Sequence, residues 1–166
     1  MSAVSAFLST SLGLLEIRGD ETGLSAVCFL DQPSPGLYET RKNAVPACLQ
    51  EGYRQLQAYF TRELQQFDLT YSTPKGTDFQ RQVWAALAQV GFGRTASYLD
   101  VARLLQNPGA VRAVGAANGQ NPLAIVWPCH RIIGANGQLT GYAGGLARKR
   151  WLLDFERPSQ QGNLFT

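Results

Sequence analysis

The sequence predicts an α/β chain in two parts, a small antiparallel sheet with one helix followed by a mainly helical half. Three observations predict it. Up to about residue 31, short runs alternate apolar and polar residues, the period of a half-buried strand. Between Ala44 and Phe67, the residues Leu49, Tyr53, Leu56, Phe60, Leu64 and Phe67 recur at three- and four-residue steps, the period of an amphipathic helix. Beyond "DLTYSTPKG", whose Pro and Gly mark a linker, helix-start signals become frequent.

In order along the chain, "AFLST" and "LGLLEIRG" flank a Ser-Leu-Gly turn, and "DETG" leads into "LSAVCFLD". These are three strands joined by tight turns. "DQPSPG" is a loop, and the 44–67 helix follows. Thr77 and Gln80 form a capping-box pattern ahead of Phe79, Val83, Trp84 and Leu87. "GFGRTAS" breaks the chain, and Ser97 is placed to cap "YLDVARLL". After the turn "QNPGA" comes "AVRAVGAAN", a second short helix rich in small residues. A short helix, a turn with Gly and a second helix form the outline of a helix-turn-helix. "GQNPLAIVWPCHRIIG" is apolar and expected to be buried, with a strand emerging at Cys129. "ANGQLTGYAGG" is a Gly-rich loop. "LARKRWLLDFE" is a closing helix with Leu152 and Phe155 on its apolar side, and the tail "RPSQQGNLFT" reads as frayed.

Composition narrows the class of protein. The chain has 166 residues with 45% hydrophobic and 16% charged content, as an ordinary globular protein does. The net charge of +3 excludes a polybasic tail but leaves room for a local basic face on nucleic acid. Three widely spaced cysteines, Cys28, Cys48 and Cys129, argue against a disulfide framework and for a reducing compartment. Cys28 and Cys48 are read as core. No apolar run reaches membrane-spanning length and the start lacks the pattern of a secretory signal, so no membrane partner is expected.

Cys129 stands directly before His130, the only histidine in the chain, in "PCHRII". A free thiol with a pKa near ~8.5 is roughly 3% thiolate at pH 7, and a histidine base oriented by a carboxylate can raise that fraction. Asp154 and Glu156 on the closing helix are the candidates for the carboxylate. Neighbours in an extended strand point to opposite faces, so the pair needs an explanation.

"PCHRII", with "SYLDVARLLQNPGAVRAVGAANGQNP" before it and "GYAGG" then "WLLDFE" after it, resembles the O6-alkylguanine-DNA alkyltransferase family. The resemblance is dense from about Phe79 to Glu156 and, further upstream, holds in outline only. It implies a ribonuclease-H-like lobe over 1–72 and, over 73–166, a mainly helical, winged-helix-like DNA-binding lobe with a helix-turn-helix. It implies repair by direct reversal: Cys129 takes the alkyl group from O6 of guanine, possibly also from O4 of thymine, once and irreversibly. His130 is the implied base, acting through a water, and Glu156 orients it. Asn121 braces the active-site turn. Tyr98 donates to the guanine ring as it leaves and helps rotate the nucleotide, and Arg112 enters the base stack. The guanine pocket is implied at the backbone of Cys129 and Ile132, at Tyr142 and at the amide of Ala143, where other members have serine. The implied partner is duplex DNA carrying alkylated bases, bound in the minor groove with the nucleotide flipped out. The expected protein is a monomer with no cofactor and no metal, in the cytoplasm, on the nucleoid when bound, or in the nucleus of a eukaryote. The alternatives at this stage are a non-catalytic lesion-binding protein, which has tryptophan at the cysteine position, and a cysteine hydrolase, which would need an oxyanion hole.

Overall fold

The computed structural model describes residues 2–72 and 75–158. Strands β1 (Val4–Thr10), β2 (Gly13–Asp20) and β3 (Gly23–Phe29) form one antiparallel sheet in the order β1-β2-β3. Register follows the alternation of side chains. Ala6 faces Ile17 and Leu8 faces Leu15 across β1 and β2, and Ile17 faces Val27 across β2 and β3. All five are buried on one face. The next position along β3 points to the other face, so Cys28 is exposed opposite Glu16 and does not belong to the core. Cys48 is half-buried against the core.

The first helix is shorter than its apolar period. Helix α1 spans Gln50–Phe60, after two 3-10 turns at Lys42–Ala44 and Ala47–Leu49. It stops because Arg62 takes a φ of 67°, and the amide of Glu63 turns back to the carbonyl of Ala58 at 2.8 Å. Leu64 and Phe67 still pack on the core, but from irregular chain. Part of the linker is also less free than its composition suggests. Leu24 donates to the Thr70 carbonyl and Ser72 donates to the Leu24 carbonyl, at 3.0 and 2.9 Å. Gly23 makes that approach possible. Its φ is 139°, and a Cβ there would lie 2.6 Å from the Thr70 carbonyl carbon.

The second half is built on α2 (Asp78–Leu87), α3 (Tyr98–Leu104), α4 (Val111–Gly119) and α5 (Leu146–Glu156). Both expected helix starts form. Thr77 with Gln80 and Ser97 with Asp100 make complete capping boxes. Helices α3 and α4 are the helix-turn-helix, and its turn carries Gln106 at a φ of 59° and a 3-10 turn at Pro108–Ala110. Val83, Trp84, Leu87, Val101, Ala102, Val114 and Ala117 form their shared core, which also holds Cys129 and Ile132. Trp84 donates to the Ala117 carbonyl at 2.8 Å, tying α2 to α4. Short strands β4 (Ala96–Ser97) and β5 (Ile132–Ile133) pair in parallel.

A second core lies beneath the three-stranded sheet. It draws Leu123, Ile125, Val126 and Leu152 from the later half of the chain. Among the described residues no helix is long and apolar enough to cross a membrane. The tail from residue 159 onward lies outside the described residues. Replacing Gly23 by alanine is expected to lower the free energy of unfolding by about 2–3 kcal/mol in a denaturant titration. Gly36→Ala, where φ is 86° but nothing stands within 4 Å, is expected to cost about 1 kcal/mol.

Candidate active site

The apolar run before Cys129 is a series of turns, not a strand. Val27 donates to the Pro122 carbonyl and Ala124 donates to the Val27 carbonyl, at 2.9 and 3.0 Å, so the run starts beside β3. Ile125 then takes a φ of 71°, and Trp127 donates back to the Leu123 carbonyl at 2.9 Å. Pro128 sits at φ −80° and ψ 65°, with the Cys129 amide on the Trp127 carbonyl at 2.7 Å. These two residues rule out an extended path. Cys129–Arg131 form a 3-10 turn, and all three side chains are buried. At three residues per turn, neighbouring side chains diverge by about 120° instead of pointing to opposite faces. The thiol and the imidazole can therefore share one buried region.

Two asparagines hold this turn. Asn121 donates from Nδ2 to the Trp127 carbonyl at 2.7 Å and accepts the Leu123 amide on Oδ1 at 3.0 Å. Asn118, at the end of α4, donates to the Cys129 carbonyl at 3.3 Å. For Asn121 the residues gave an Asn-Pro turn former and the resemblance implied a brace. Asn118 was not legible, because an asparagine near a helix end is most simply a capping residue.

The carboxylate expected on α5 is Glu156, whereas Asp154 faces out and pairs with Arg157. His130 Nε2 lies 2.8 Å from Glu156 Oε2. Arg131 donates from Nε to Oε1 at 2.7 Å and from Nη2 to Oε2 at 2.9 Å, and its Nη1 reaches the Val90 carbonyl at 2.6 Å. Tyr59 on α1 donates its hydroxyl to Oε2 at 2.7 Å. Burial alone would raise the Glu156 carboxyl, but the hydrogen bonds from His130 and Arg131 overcome it and hold the carboxyl down at about 2. For His130 burial dominates over the pull of Glu156, so its pKa lies below the ordinary value and the ring is neutral. Arg131 is then the countercharge of Glu156. With Nε2–H assigned to the carboxylate, Nδ1 is the basic nitrogen, and it has no partner among the described residues.

Burial also pushes the Cys129 thiol up, against the opposing pull of the Asn121 amide and of Lys149. The neighbouring histidine therefore does not leave a standing thiolate. Lys149 is wholly buried, with Nζ on the carbonyls of Ile132 and Thr140 at 2.5 and 2.8 Å. Burial lowers its pKa from the ordinary lysine value. Tyr142, on the Gly-rich loop, has a buried hydroxyl with no partner among the described residues, and burial, above all, holds that hydroxyl protonated.

The remaining candidates stand around this cluster. Ile132 is buried and its carbonyl faces Lys149. Tyr98, at the first position of α3, accepts from the Thr140 hydroxyl at 3.0 Å, and its ring lies against Gly115 of α4. Ala143 is exposed on the loop beside Tyr142. Arg112 is on the exposed face of α4, flanked by the exposed Ala113 and Ala116, outside the buried cluster. Tyr59, Arg131 and Lys149 went unrecognised in the sequence. Arg131 could have been suspected from its place directly after Cys129 and His130. Tyr59 sits on the same apolar stripe as Leu56 and Phe60, where a tyrosine reads as core. Among the described residues no group of three or more His, Cys, Asp or Glu is placed to hold a metal.

Comparison with known proteins bears on the same residues. The family model for the DNA-binding domain of 6-O-methylguanine DNA methyltransferase matches residues 78–158. A methylated-DNA--protein-cysteine methyltransferase of Methanosarcina acetivorans is 44% identical over 158 residues, covering 91% of this chain and 96% of the relative. This chain belongs to that family. A family member of the same name from Mycolicibacterium paratuberculosis is also 44% identical, covering 95% of this chain and 94% of the relative. Among solved structures, the O6-methylguanine methyltransferase of Mycobacterium tuberculosis superposes with a TM-score of 0.81 at 40% identity, over 99% of this chain and all of that one. A complex of the same bacterium's protein with DNA matches at a TM-score of 0.79 and 43% identity, over 91% of each chain. The mixed α/β architecture, a small antiparallel sheet with helices, is therefore the fold of that family.

The buried carboxylate makes stability depend on acid. A folded-state pKa of about 2, below the ordinary 4.5, means that Glu156 contributes stability above pH ~4.5 and loses it as pH falls toward 2. The loss is on the order of 3 kcal/mol. Urea titrations across this range should show a steeper fall for the unaltered chain than for Glu156→Gln.

Proposed function

We propose that this protein repairs alkylated DNA by taking an alkyl group from O6 of guanine onto Cys129, once per molecule. The carrying observation is a buried thiol in a turn braced by Asn121, with the neutral, carboxylate-oriented His130 next to it in the same turn. The sulfur of Cys129 attacks the alkyl carbon, an S–C bond forms and the C–O6 bond breaks. The thiol proton passes to His130 Nδ1 through an intervening water, the leaving guanine takes one proton from the Tyr98 hydroxyl, and the proton held on His130 returns through solvent to restore Tyr98. The product thioether has no neighbouring thiol to resolve it, so the protein is not regenerated.

The buried sulfur supports nucleotide flipping. Cys129 is 5% exposed, so an alkyl group inside a stacked duplex is beyond its reach and the nucleotide must rotate out. The Cys129 carbonyl accepts from Asn118 Nδ2 and from the Ile132 amide, and the Ile132 carbonyl accepts from Lys149 Nζ, so both carbonyls are held in place where the guanine amine would meet them. The Tyr142 hydroxyl and the Ala143 amide complete the pocket, and Tyr98 donates to the ring as it leaves. Arg112, with small neighbours on α4, fits a wedge that fills the gap in the base stack from the minor groove. The same reading divides the chain into a 1–72 lobe and a 73–166 lobe, the second bearing the DNA-binding helices, in a protein that acts as a monomer.

Intact mass after incubation with an oligonucleotide carrying O6-methylguanine should show one added methyl per chain and none on Cys129→Ala. More than one equivalent of lesion repaired per chain, or an unchanged mass with tight binding, would refute the proposal. Arg112→Ala should slow repair of duplex DNA about tenfold or more, because opening the duplex costs a few kcal/mol, while reaction with free O6-benzylguanine stays near the unaltered rate. Equal losses on both substrates would assign Arg112 to the fold.

A further inference from the structure

The last turn of α1 reaches the Glu156 carboxylate from the other half of the chain. Tyr59 is fully buried, and the oxygen it donates to is the one facing His130. Its ring is fixed by Phe60, Phe67, Phe92 and Phe155, with centroids 5.2, 5.8, 6.2 and 5.4 Å away. Just beyond the helix, Arg62 donates from Nη1 to the Phe155 carbonyl at 3.0 Å and lies over the Phe155 ring at 4.1 Å. The turn itself is closed by Arg62 N on the Tyr59 carbonyl and Glu63 N on the Ala58 carbonyl. A positive φ at a residue other than glycine is uncommon, and here it aims the Arg62 side chain at the end of α5. One turn thus grips both Phe155 and Glu156.

The groups acting on this carboxylate come from several elements. His130 and Arg131 belong to the 3-10 turn and Tyr59 to α1. Lys149 of α5 acts on His130, and Tyr142 of the loop is within the field of Glu156 and Cys129. Arg131 supplies the positive charge through two bonds. What Tyr59 adds is direction, because a third donor on Oε2 leaves the carboxylate one orientation in which His130, Arg131 and Tyr59 are all satisfied.

We infer that Tyr59, steadied by Arg62, is a positioning residue for the alkyl transfer: it fixes the Glu156 carboxylate and shares the charge of Oε2, so that His130 is oriented yet stays unprotonated until substrate arrives. The inference rests on the function proposed above. It places part of the relay outside residues 78–158, the region the family model matches. Without the Tyr59 hydroxyl, more of the carboxylate charge rests on the atom facing His130. That favours the protonated ring, and the pH at which Nδ1 is free to take the thiol proton moves up.

The test uses the full chain and free O6-benzylguanine, so that DNA binding does not enter. Tyr59→Phe is expected to lose about 5–20-fold in rate at neutral pH, with the acid limb of the pH-rate profile displaced upward by about half a unit or more. Arg62→Leu, at an exposed position, should show a smaller loss in the same direction. Neither change should slow a Glu156→Gln chain further, since residues acting through one group are not additive. An unaltered rate and pH profile with only a lower melting temperature would overturn the inference, as would equal fold losses in the Glu156→Gln background. If Tyr59→Phe fails to fold, the Arg62→Leu pair decides by the same criteria. An unaltered chain that gains no mass overturns the proposed function and this inference with it; a reactive chain indifferent to both substitutions overturns the inference alone.

Discussion

A single buried carboxylate organises this molecule. Glu156 is 2% exposed and accepts hydrogen bonds from His130, Tyr59 and, twice, Arg131. Removing such a charge from water costs several kcal/mol, and only a full set of partners offsets it. That requirement draws three distant segments to one point. The end of α5 brings the carboxylate, the turn at Cys129–Arg131 brings a base and a cation, and α1 brings a hydroxyl 97 residues away in sequence. If any one is displaced, the buried carboxylate and its partners are no longer all satisfied. The interaction that orients His130 therefore also joins the sheet-bearing part of the chain to the helical part.

The same burial sets the resting chemistry. Cys129 and His130 are both held in their neutral forms by desolvation. Reactive cysteines elsewhere are commonly exposed thiolates, open to any electrophile or oxidant. A neutral thiol inside a packed turn is protected from both, and His130 Nδ1 in the same turn has no partner among the described residues. Lys149 complements this arrangement: its ammonium ties the carbonyl of Ile132, directly after the reactive turn, to that of Thr140 in the Gly-rich loop. The exposed small-residue face of α4 with Arg112 and this buried set lie apart. They meet through Asn118 at the end of α4, which grips the Cys129 carbonyl.

Much of the architecture was legible because local signals suffice for it. Alternation placed the three strands, the capping boxes at Thr77 and Ser97 placed two helix starts, and the residues left Asp154 and Glu156 as candidate partners of His130, of which the resemblance implied Glu156. Local signals failed wherever the backbone departed from its period. The apolar stripe ran through Phe67, but Arg62 in the left-handed region ended the helix at Phe60, seven residues short of it. The run into Cys129 looked like a strand, yet Ile125 and Pro128 turn it repeatedly. Cys28 looked like core, and the pleat placed it outside.

By itself, the sequence determined the three strands, the starts of two helices and the adjacency of Cys129 and His130, because capping, periodicity and chain order are local properties. Tertiary structure alone decided that Tyr59 and Arg131 share Glu156 with His130, and that Asn118 and Lys149 hold the carbonyls flanking the reactive turn. It also decided the protonation of the site. A side chain's ordinary pKa belongs to its chemistry, but the shift belongs to burial and to partners many residues away, and those exist only once the chain has closed around the carboxylate.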